Sequence, residues 1–252
     1  MSVLAVAAAG AVMAGAAVQS AIGFGFALVA APLLYAAAPS PEQAVGLMTV
    51  LGLEVNLLTL LAERRRPAPV WRDVAAVVAW SLPGALAGVA VLRALDDVAL
   101  QLLVTAGVLV ALALNLRTRR AAGTASVAPV AWWARPLAGV TSGALSTSTS
   151  TGGPPVALLL MARGLQPQVI RDTLTTSFVG FAFVAAAALA LTATEDAVPD
   201  AGWLAAFVPL TAAGQLAGRP LFRRLAAGRS YERVLAGVLL VTVAVGLFSV
   251  AL

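Results

Sequence analysis

Long apolar stretches alternate with short polar segments from one end of the chain to the other. A helix needs ~20 consecutive apolar residues to cross the hydrocarbon core of a bilayer, and every stretch reaches about that length. The pattern predicts an all-α polytopic membrane protein. Its apolar runs cover residues 2–38, 42–62, 74–95, 98–116, 134–162, 168–192, 202–222 and 234–252.

Runs 2–38 and 134–162 are too long for one crossing. As a single helix at ~1.5 Å per residue, run 2–38 would extend ~55 Å, well beyond the ~30 Å core. Small and polar residues interrupt both runs, at "QSAIGFG" (19–25) and at "STSTSTGGPP" (146–155). We therefore expect both to fold as broken hairpins, whereas the other six runs each cross the membrane once.

The arginines determine the expected topology. All sixteen basic residues are Arg, and fifteen of them fall in segments 62–73, 117–135, 163–172 and 219–233. The positive-inside rule puts these segments in the cytoplasm. A single crossing by run 134–162 would force segment 219–233 outside, whereas a hairpin that enters and leaves on one side keeps all four inside. This predicts a multi-pass protein of the cell (inner) membrane with both termini extracytoplasmic.

Two short motifs recur at the same distance along the chain: "GALAG" (84–88) returns as "GQLAG" (214–218), and "AGVLV" (106–110) as "AGVLL" (236–240). The matches predict a first repeat over 1–120, a cytoplasmic linker over 121–133 and a second repeat over 134–252. Each repeat would hold one broken hairpin and three transmembrane helices, so the second would be inverted in the membrane. Inverted repeats with discontinuous helices are a recurrent transporter architecture.

The composition narrows the function classes. Hydrophobic residues make up 61% of the chain and charged residues 11%, against about 25% charged in soluble domains. There is no Cys, Lys or His, which excludes disulfides and Cys or His metal sites. An intramembrane enzyme is disfavoured, because hydroxyl nucleophiles would have only acidic residues as bases. Since the arginines lie in loops, we expect contact with anionic lipid and no nucleic-acid partner. We also expect no cofactor.

Six consecutive hydroxyl residues precede two glycines and two prolines at the second interruption. No ordinary helix continues through this sequence, and the prolines favour a new helix start. A helix start binds anions through free amides and a partial positive charge, and hydroxyls add donors. The alternative is that the hydroxyls satisfy the hairpin's own backbone and allow close packing. The candidates for binding a small anionic substrate are Ser148, Thr149, Ser150, Thr151, Gly152 and Gly153.

The first interruption is the expected counterpart of the second. Its glycines allow a tight turn or a close approach of the backbone to a ligand. The alternative for its aromatic residue is packing or lipid contact. The candidates for substrate binding here are Gln19, Ser20, Gly23, Phe24 and Gly25.

Four polar residues within predicted helices are candidates for coupling or gating: Glu54 and Asn56 in run 42–62, and Gln215 and Arg219 in run 202–222. An ionisable group at membrane depth is costly and often functional, so Glu54 could carry a coupling proton. It could equally be a protonated or paired structural residue. Arg219 could attract anions to an inner vestibule or extend to the membrane interface.

The stretches "GFGFALVAAPLL" (23–34) and "GGPPVALLL" (152–160) resemble the sulfite exporter TauE/SafE family of membrane permeases. The resemblance extends over the whole chain in length, segment order and repeat. It implies transport of a small sulfur-containing anion such as sulfite or an organosulfonate, commonly outward. Since the sequence has no nucleotide-binding motif, a secondary transporter is the simpler hypothesis, and we expect no enzyme. The two halves would move against each other and give alternating access. Two alternatives stay open: a channel or facilitator for a small anion or neutral polar solute, and a structural subunit of a larger complex.

Overall fold

The computed structural model describes residues 3–61, 66–95, 99, 131–192 and 198–226. All regular secondary structure in these residues is α-helical, which confirms the predicted all-α class. The predicted helices 98–116 and 234–252, and residues 121–130 of the predicted linker, lie outside the described residues. The described helices are α1 Val3–Ile22, α2 Phe26–Ala37, α3 Pro41–Leu61, α4 Trp71–Ala94, α5 Ala134–Ser148, α6 Gly153–Met161, α7 Pro167–Leu191 and α8 Ala201–Ala226.

Helices α1, α3, α4 and α7 are long and apolar enough to cross a membrane. Each falls within one of the predicted runs or extends it by at most a few residues. Helix α8 covers the predicted run 202–222 but is not among these four. It carries Gln215 and Arg219, and Arg223 and Arg224 follow before its end. The apolar helices support a multi-pass membrane protein.

The first long run divides into α1 and α2, but its break is shorter than the sequence indicated. Helix α1 continues through Gln19 and Ser20, and only residues 23–25 are non-helical. Gly23 has a φ of 95° and Gly25 a φ of 111°. These backbone conformations are open to glycine and strained for other residues. The two glycines therefore place the break directly before the first turn of α2.

The second long run divides into α5 and α6, and its break is also narrower than expected. The first three hydroxyl residues, Ser146–Ser148, belong to α5, and residues 149–152 form the break. Pro154 and Pro155 occupy the first turn of α6, where a missing N–H costs no helical hydrogen bond. Ser150 has a φ of 59°, and it is the one residue other than glycine with a positive φ in the described residues.

The two ends of the α5–α6 hairpin meet at one buried carboxylate. Asp73, in the first turn of α4, is 1% exposed. It accepts a 2.7 Å hydrogen bond from Arg135 Nε at the start of α5, and it also pairs with Arg163, just after α6. The hairpin therefore enters and leaves at the same end of the molecule.

Helix α5 packs closely against α4 because glycines let the two backbones approach. A Cβ atom at Gly84 would overlap the carbonyl oxygen of Val140, and one at Gly88 would overlap that of Ala144. From the other side, a Cβ at Gly143 would overlap the backbone of α4 at Ser81. The first arm of the second hairpin thus lies against a helix of the first half.

Helix α1 packs against α8 in the same manner. A Cβ at Gly214 would overlap the carbonyl oxygen of Met13, and one at Gly218 would overlap that of Ala17. The glycines of "GALAG" and "GQLAG" therefore have the same structural role. Each motif holds the first arm of the hairpin that belongs to the other half.

Candidate functional site

A cavity of about 90 Å³ lies between the two hairpin breaks, and α3 and α7 complete its wall. One water molecule needs roughly 10–15 Å³ of such space, so the cavity can hold a small solute of several heavy atoms. It also separates two clusters of buried apolar side chains. Phe24 and Phe181 belong to one cluster, Phe26 and Met48 to the other, and all four line the cavity.

Side-chain amides brace the first break. Gln19 Nε2 donates to Asn56 Oδ1 at 2.8 Å, and Gln19 Oε1 accepts from the backbone N–H of Phe26 at 3.0 Å. Asn56 Nδ2 in turn donates to the carbonyl oxygen of Gly52 at 2.6 Å. One glutamine thus connects the last turn of α1, the first residue of α2 and the middle of α3. The next amides of α2, at Ala27 and Leu28, have no partner within the helix by its geometry.

Hydroxyl groups shape the second break. The hydroxyls of Thr149 and Thr151 are 2.8 Å apart, and the Thr151 N–H donates to the carbonyl oxygen of Leu145 at 3.0 Å. Ser150 lines the cavity, and its buried hydroxyl has no hydrogen-bond partner among the described residues. A buried polar group without a partner in a cavity wall is a group that a bound solute can satisfy.

The start of α6 lies directly at the cavity. Gly152, Gly153 and Pro154 line it, and a Cβ at Gly153 would lie 3.3 Å from the ring of Phe178 and 3.6 Å from that of Phe24. Since both prolines lack an N–H, the glycine amides and nearby hydroxyls are the donors that this helix start offers. The starts of α2 and α6 therefore face one shared space.

The structure brings together eight of the residues singled out from the sequence. The cavity wall includes Gln19, Phe24, Gly25, Asn56, Ser150, Thr151, Gly152 and Gly153. The residues that do not line the cavity are Ser20, Gly23, Ser148 and Thr149. The hydroxyls of Ser148 and Thr149 donate to carbonyl oxygens of their own helix, as the structural alternative for the tract expected.

Glu54, Gln215 and Arg219 do not line this cavity. Gln215 is fully buried, and its Nε2 donates to Thr59 Oγ1 at 2.8 Å, which links α8 to α3. Glu54 Oε2, Gln215 Oε1 and Arg219 Nε are buried and have no hydrogen-bond partner within the part of the chain that the structure describes. Glu54 lies on α3, and Gln215 and Arg219 lie on α8. All three are therefore outside the breaks.

Arg171 is a buried residue whose burial does not follow from the sequence. It was grouped with the loop arginines of segment 163–172, but it lies in the second turn of α7 and is 3% exposed. Its Nη2 donates to the carbonyl oxygen of Ser20 at 2.9 Å. The predicted run 168–192 includes Arg171, so its helical position was available from the sequence, whereas no local signal indicates that its side chain is buried.

The cavity wall carries no acidic or basic side chain among the described residues. Phenylalanines, leucines, alanines, a proline and a methionine form its apolar part, and amides and hydroxyls form its polar part. The electrostatic potential in the cavity therefore comes from backbone dipoles and from charges behind the wall. Such a site can hold a small anion or an uncharged polar solute.

Comparison with known proteins assigns the chain to a family. No curated protein and no solved structure matches it. The family described as "Sulfite exporter TauE/SafE" matches residues 7–247, which include both hairpin breaks, the cavity and both glycine motifs. The chain therefore belongs to the sulfite exporter TauE/SafE family.

Proposed function

We propose that the chain is a secondary transporter that exports a small sulfur-containing anion, such as sulfite or an organosulfonate, across the cell membrane. Membership of the family supports a membrane transporter of sulfur anions. The observation that carries the proposed site is the convergence of two broken helices, one from each half, on one cavity whose described lining includes no carboxylate. The cavity is the substrate site in this proposal.

The starts of α2 and α6 suit an anion on physical grounds. A helix N-terminus carries a partial positive charge and free amide donors. At α2 the free amides follow Phe26, and at α6 they belong to Gly152 and Gly153. The unpartnered hydroxyl of Ser150 adds a neutral donor at the same cavity. Neutral donors from two helices can hold a charged oxyanion without a cationic side chain in the wall.

The packing supports the proposed inverted repeat. Each break contains a backbone of positive φ, at Gly23 and Gly25 in the first and at Ser150 in the second. Phe26 and Gly153, the first residues of α2 and α6, are separated by the same number of residues as Gly23 and Ser150. Helix α1 packs on α8, and α5 packs on α4, so each hairpin lies against the opposite half. We propose that the two halves move relative to each other and expose the cavity alternately to the two sides.

Several contacts between the two halves lie at the end of the molecule that bears Asp73. Asp73 pairs with Arg135 and Arg163, and nearby the Val70 N–H donates to Thr173 Oγ1 at 3.0 Å. All three contacts join residues of the first half to residues of the second. By the positive-inside rule this is the cytoplasmic end. We propose that these contacts separate when the cavity opens to the cytoplasm.

A reversible cross-link tests this movement, since the chain has no native cysteine. We expect a disulfide between Val70→Cys and Thr173→Cys to stop anion flux, and reduction of the disulfide to restore it. The two single-cysteine variants are the matched controls. Full flux in the oxidised double variant would show that this end need not open.

Flux measurements with purified protein in proteoliposomes test the proposed function. The substrates are sulfite, sulfoacetate, thiosulfate and sulfate, each with and without a pH gradient. We expect saturable flux of one of them that responds to the gradient. Folded protein that transports none of the four would refute the proposal.

A channel or facilitator for a small anion or a neutral polar solute is the second candidate. The absence of a charged side chain from the cavity wall in the described residues favours it. The same vesicles distinguish the two candidates. Flux that does not saturate and is not coupled to the gradient of another ion would identify a channel.

A further inference from the structure

The last carbonyl groups of α1 and α5 face the two breaks, where no helical N–H follows to satisfy them. At the first break, Arg171 Nη2 donates to the carbonyl oxygen of Ser20 at 2.9 Å. At the second, the hydroxyl of Tyr35 donates to the carbonyl oxygen of Ser148 at 3.1 Å. In both cases the donor comes from the opposite half of the chain. One break is thus capped by a charged group and the other by a neutral one.

The stem of Arg171 packs directly on the turn of the first break. A Cβ atom at Gly23 would lie 2.9 Å from Arg171 Cγ and 3.3 Å from its Cα. The next two residues after Gly23, Phe24 and Gly25, line the cavity. The guanidinium group therefore lies one layer behind the cavity wall and fixes the backbone that forms this wall.

The charge of Arg171 is well placed to act on the cavity. A guanidinium group stays protonated even when it is buried, and Coulomb interactions reach further in a low-dielectric interior than in water. The carboxylate of Asp172, the next residue, accepts bonds from the Ala68 N–H and from Gln168. That carboxylate therefore faces the segment before α4, whereas the Arg171 side chain faces the break.

We propose that Arg171 is a positioning residue that holds the first break in place and supplies the positive charge by which the cavity favours doubly charged over singly charged anions. This inference rests on the proposed function, because it assumes that the cavity binds the transported anion. In this proposal, Arg171 selects the substrate by its charge.

The test compares KM for sulfoacetate, a dianion, with KM for methanesulfonate, a monoanion, in proteoliposomes. For Arg171→Gln we expect KM for the dianion to rise roughly tenfold and KM for the monoanion roughly threefold, because the lost attraction scales with ligand charge. Arg171→Lys keeps the charge and should preserve the ratio of the two KM values. Tyr35→Phe, which removes the neutral cap of the other break, is the matched control and should also preserve it.

Arg171→Gln with an unchanged ratio would overturn the proposal, since a purely structural role would weaken both anions equally. If Arg171→Gln does not yield folded protein, Arg171→Met takes its place, because it keeps an unbranched stem at Gly23 and removes the charge. A lost preference for the dianion then supports the proposal, and an unchanged ratio overturns it. A lost preference in Arg171→Lys, which keeps the charge, overturns it as well. Wild-type protein that transports neither anion nor any of the four sulfur anions would instead refute the proposed function. The two failures are therefore distinguishable.

Discussion

The two hairpin breaks perform the same geometric task with different chemistry. The first uses two positive-φ glycines and an amide brace centred on Gln19, and its cap is the charged Arg171. The second uses prolines and hydroxyls, and its cap is the neutral Tyr35. A helix break inside a membrane must satisfy its backbone groups within the protein. The comparison shows that this requirement does not fix which side chains meet it, so the two breaks can differ in their contributions to substrate binding.

The largest effect is expected at Gly152 in the second break, where an added side chain has no room. A Cβ at Gly152 would overlap Ser146 Oγ and lie 2.5 Å from the carbonyl oxygen of Ser142. Overpacking of this kind costs about 1–3 kcal/mol, so Gly152→Val should lower the Tm in detergent and abolish flux. Gly10→Val is the matched control, because a Cβ at Gly10 meets no atom within 4 Å. Normal flux in Gly152→Val would show that the second break can accommodate a larger side chain at this position.

The next effect concerns the brace of the first break. In Gln19→Leu, the Phe26 N–H loses its acceptor and Asn56 Oδ1 loses its donor. Each buried group left without a partner costs about 1–3 kcal/mol. We expect a lower Tm and a lower flux, measured in the same assays. Thr149→Val at the second break should cost less, because the Thr151 N–H keeps its bond to Leu145.

A double-mutant cycle identifies the brace itself. The losses of Gln19→Leu and Asn56→Leu should sum to more than the loss in the double variant, because both single changes break the same hydrogen bond. Strictly additive losses would mean that the amide–amide bond contributes nothing to the stability of the first break.

A smaller and more selective effect is expected at the hydroxyls of the second break. Ser150 has a hydroxyl at the cavity without a partner among the described residues, whereas the Ser148 hydroxyl donates to its own helix. Ser150→Ala should raise the KM for the transported anion about threefold, as expected for one lost neutral hydrogen bond, with little change in Tm. Ser148→Ala is the matched control. Equal KM values in both variants would remove Ser150 from the binding site.

The sequence allowed the breaks to be located, because glycine and proline act on their own backbone. Gly23, Gly25, Pro154 and Pro155 restrict or extend φ locally, so their positions predict where a helix ends or begins. The helical class and most ends of the described helices followed from the apolar runs, because the thickness of the bilayer sets the length of a spanning helix. Only the lengths of the breaks were overestimated, since Gln19 and Ser146 are polar but helical.

The roles of the polar side chains could not be predicted, because they depend on contacts between distant segments. Gln19 was a candidate ligand, and its main bonds go to Asn56 and to the Phe26 backbone. Arg171 was counted with the loop arginines, although α7 carries it into the protein against Ser20. Which arginine of a cluster becomes buried depends on the helix that packs over it, and no local pattern contains that information.

The smallest expected change concerns α3, a helix of the first half that carries a carboxyl group near its middle. Glu54 lies in the middle of α3, and its Oε2 is buried without a hydrogen-bond partner within the described residues. A carboxyl group at this depth can take up and release a proton during a transport cycle. We expect Glu54→Gln to leave the KM and Tm nearly unchanged but to remove the response of flux to a pH gradient.

Glu42→Gln is the matched control for this prediction, because Glu42 lies in the first turn of the same helix, at its end and not at its centre. Flux of the two variants and of the wild-type protein is measured with imposed gradients of both signs. If Glu54→Gln responds to the gradient as Glu42→Gln does, the carboxyl group of Glu54 is structural. A different residue would then have to couple transport to the proton gradient, and Glu54 would contribute only to the packing of α3.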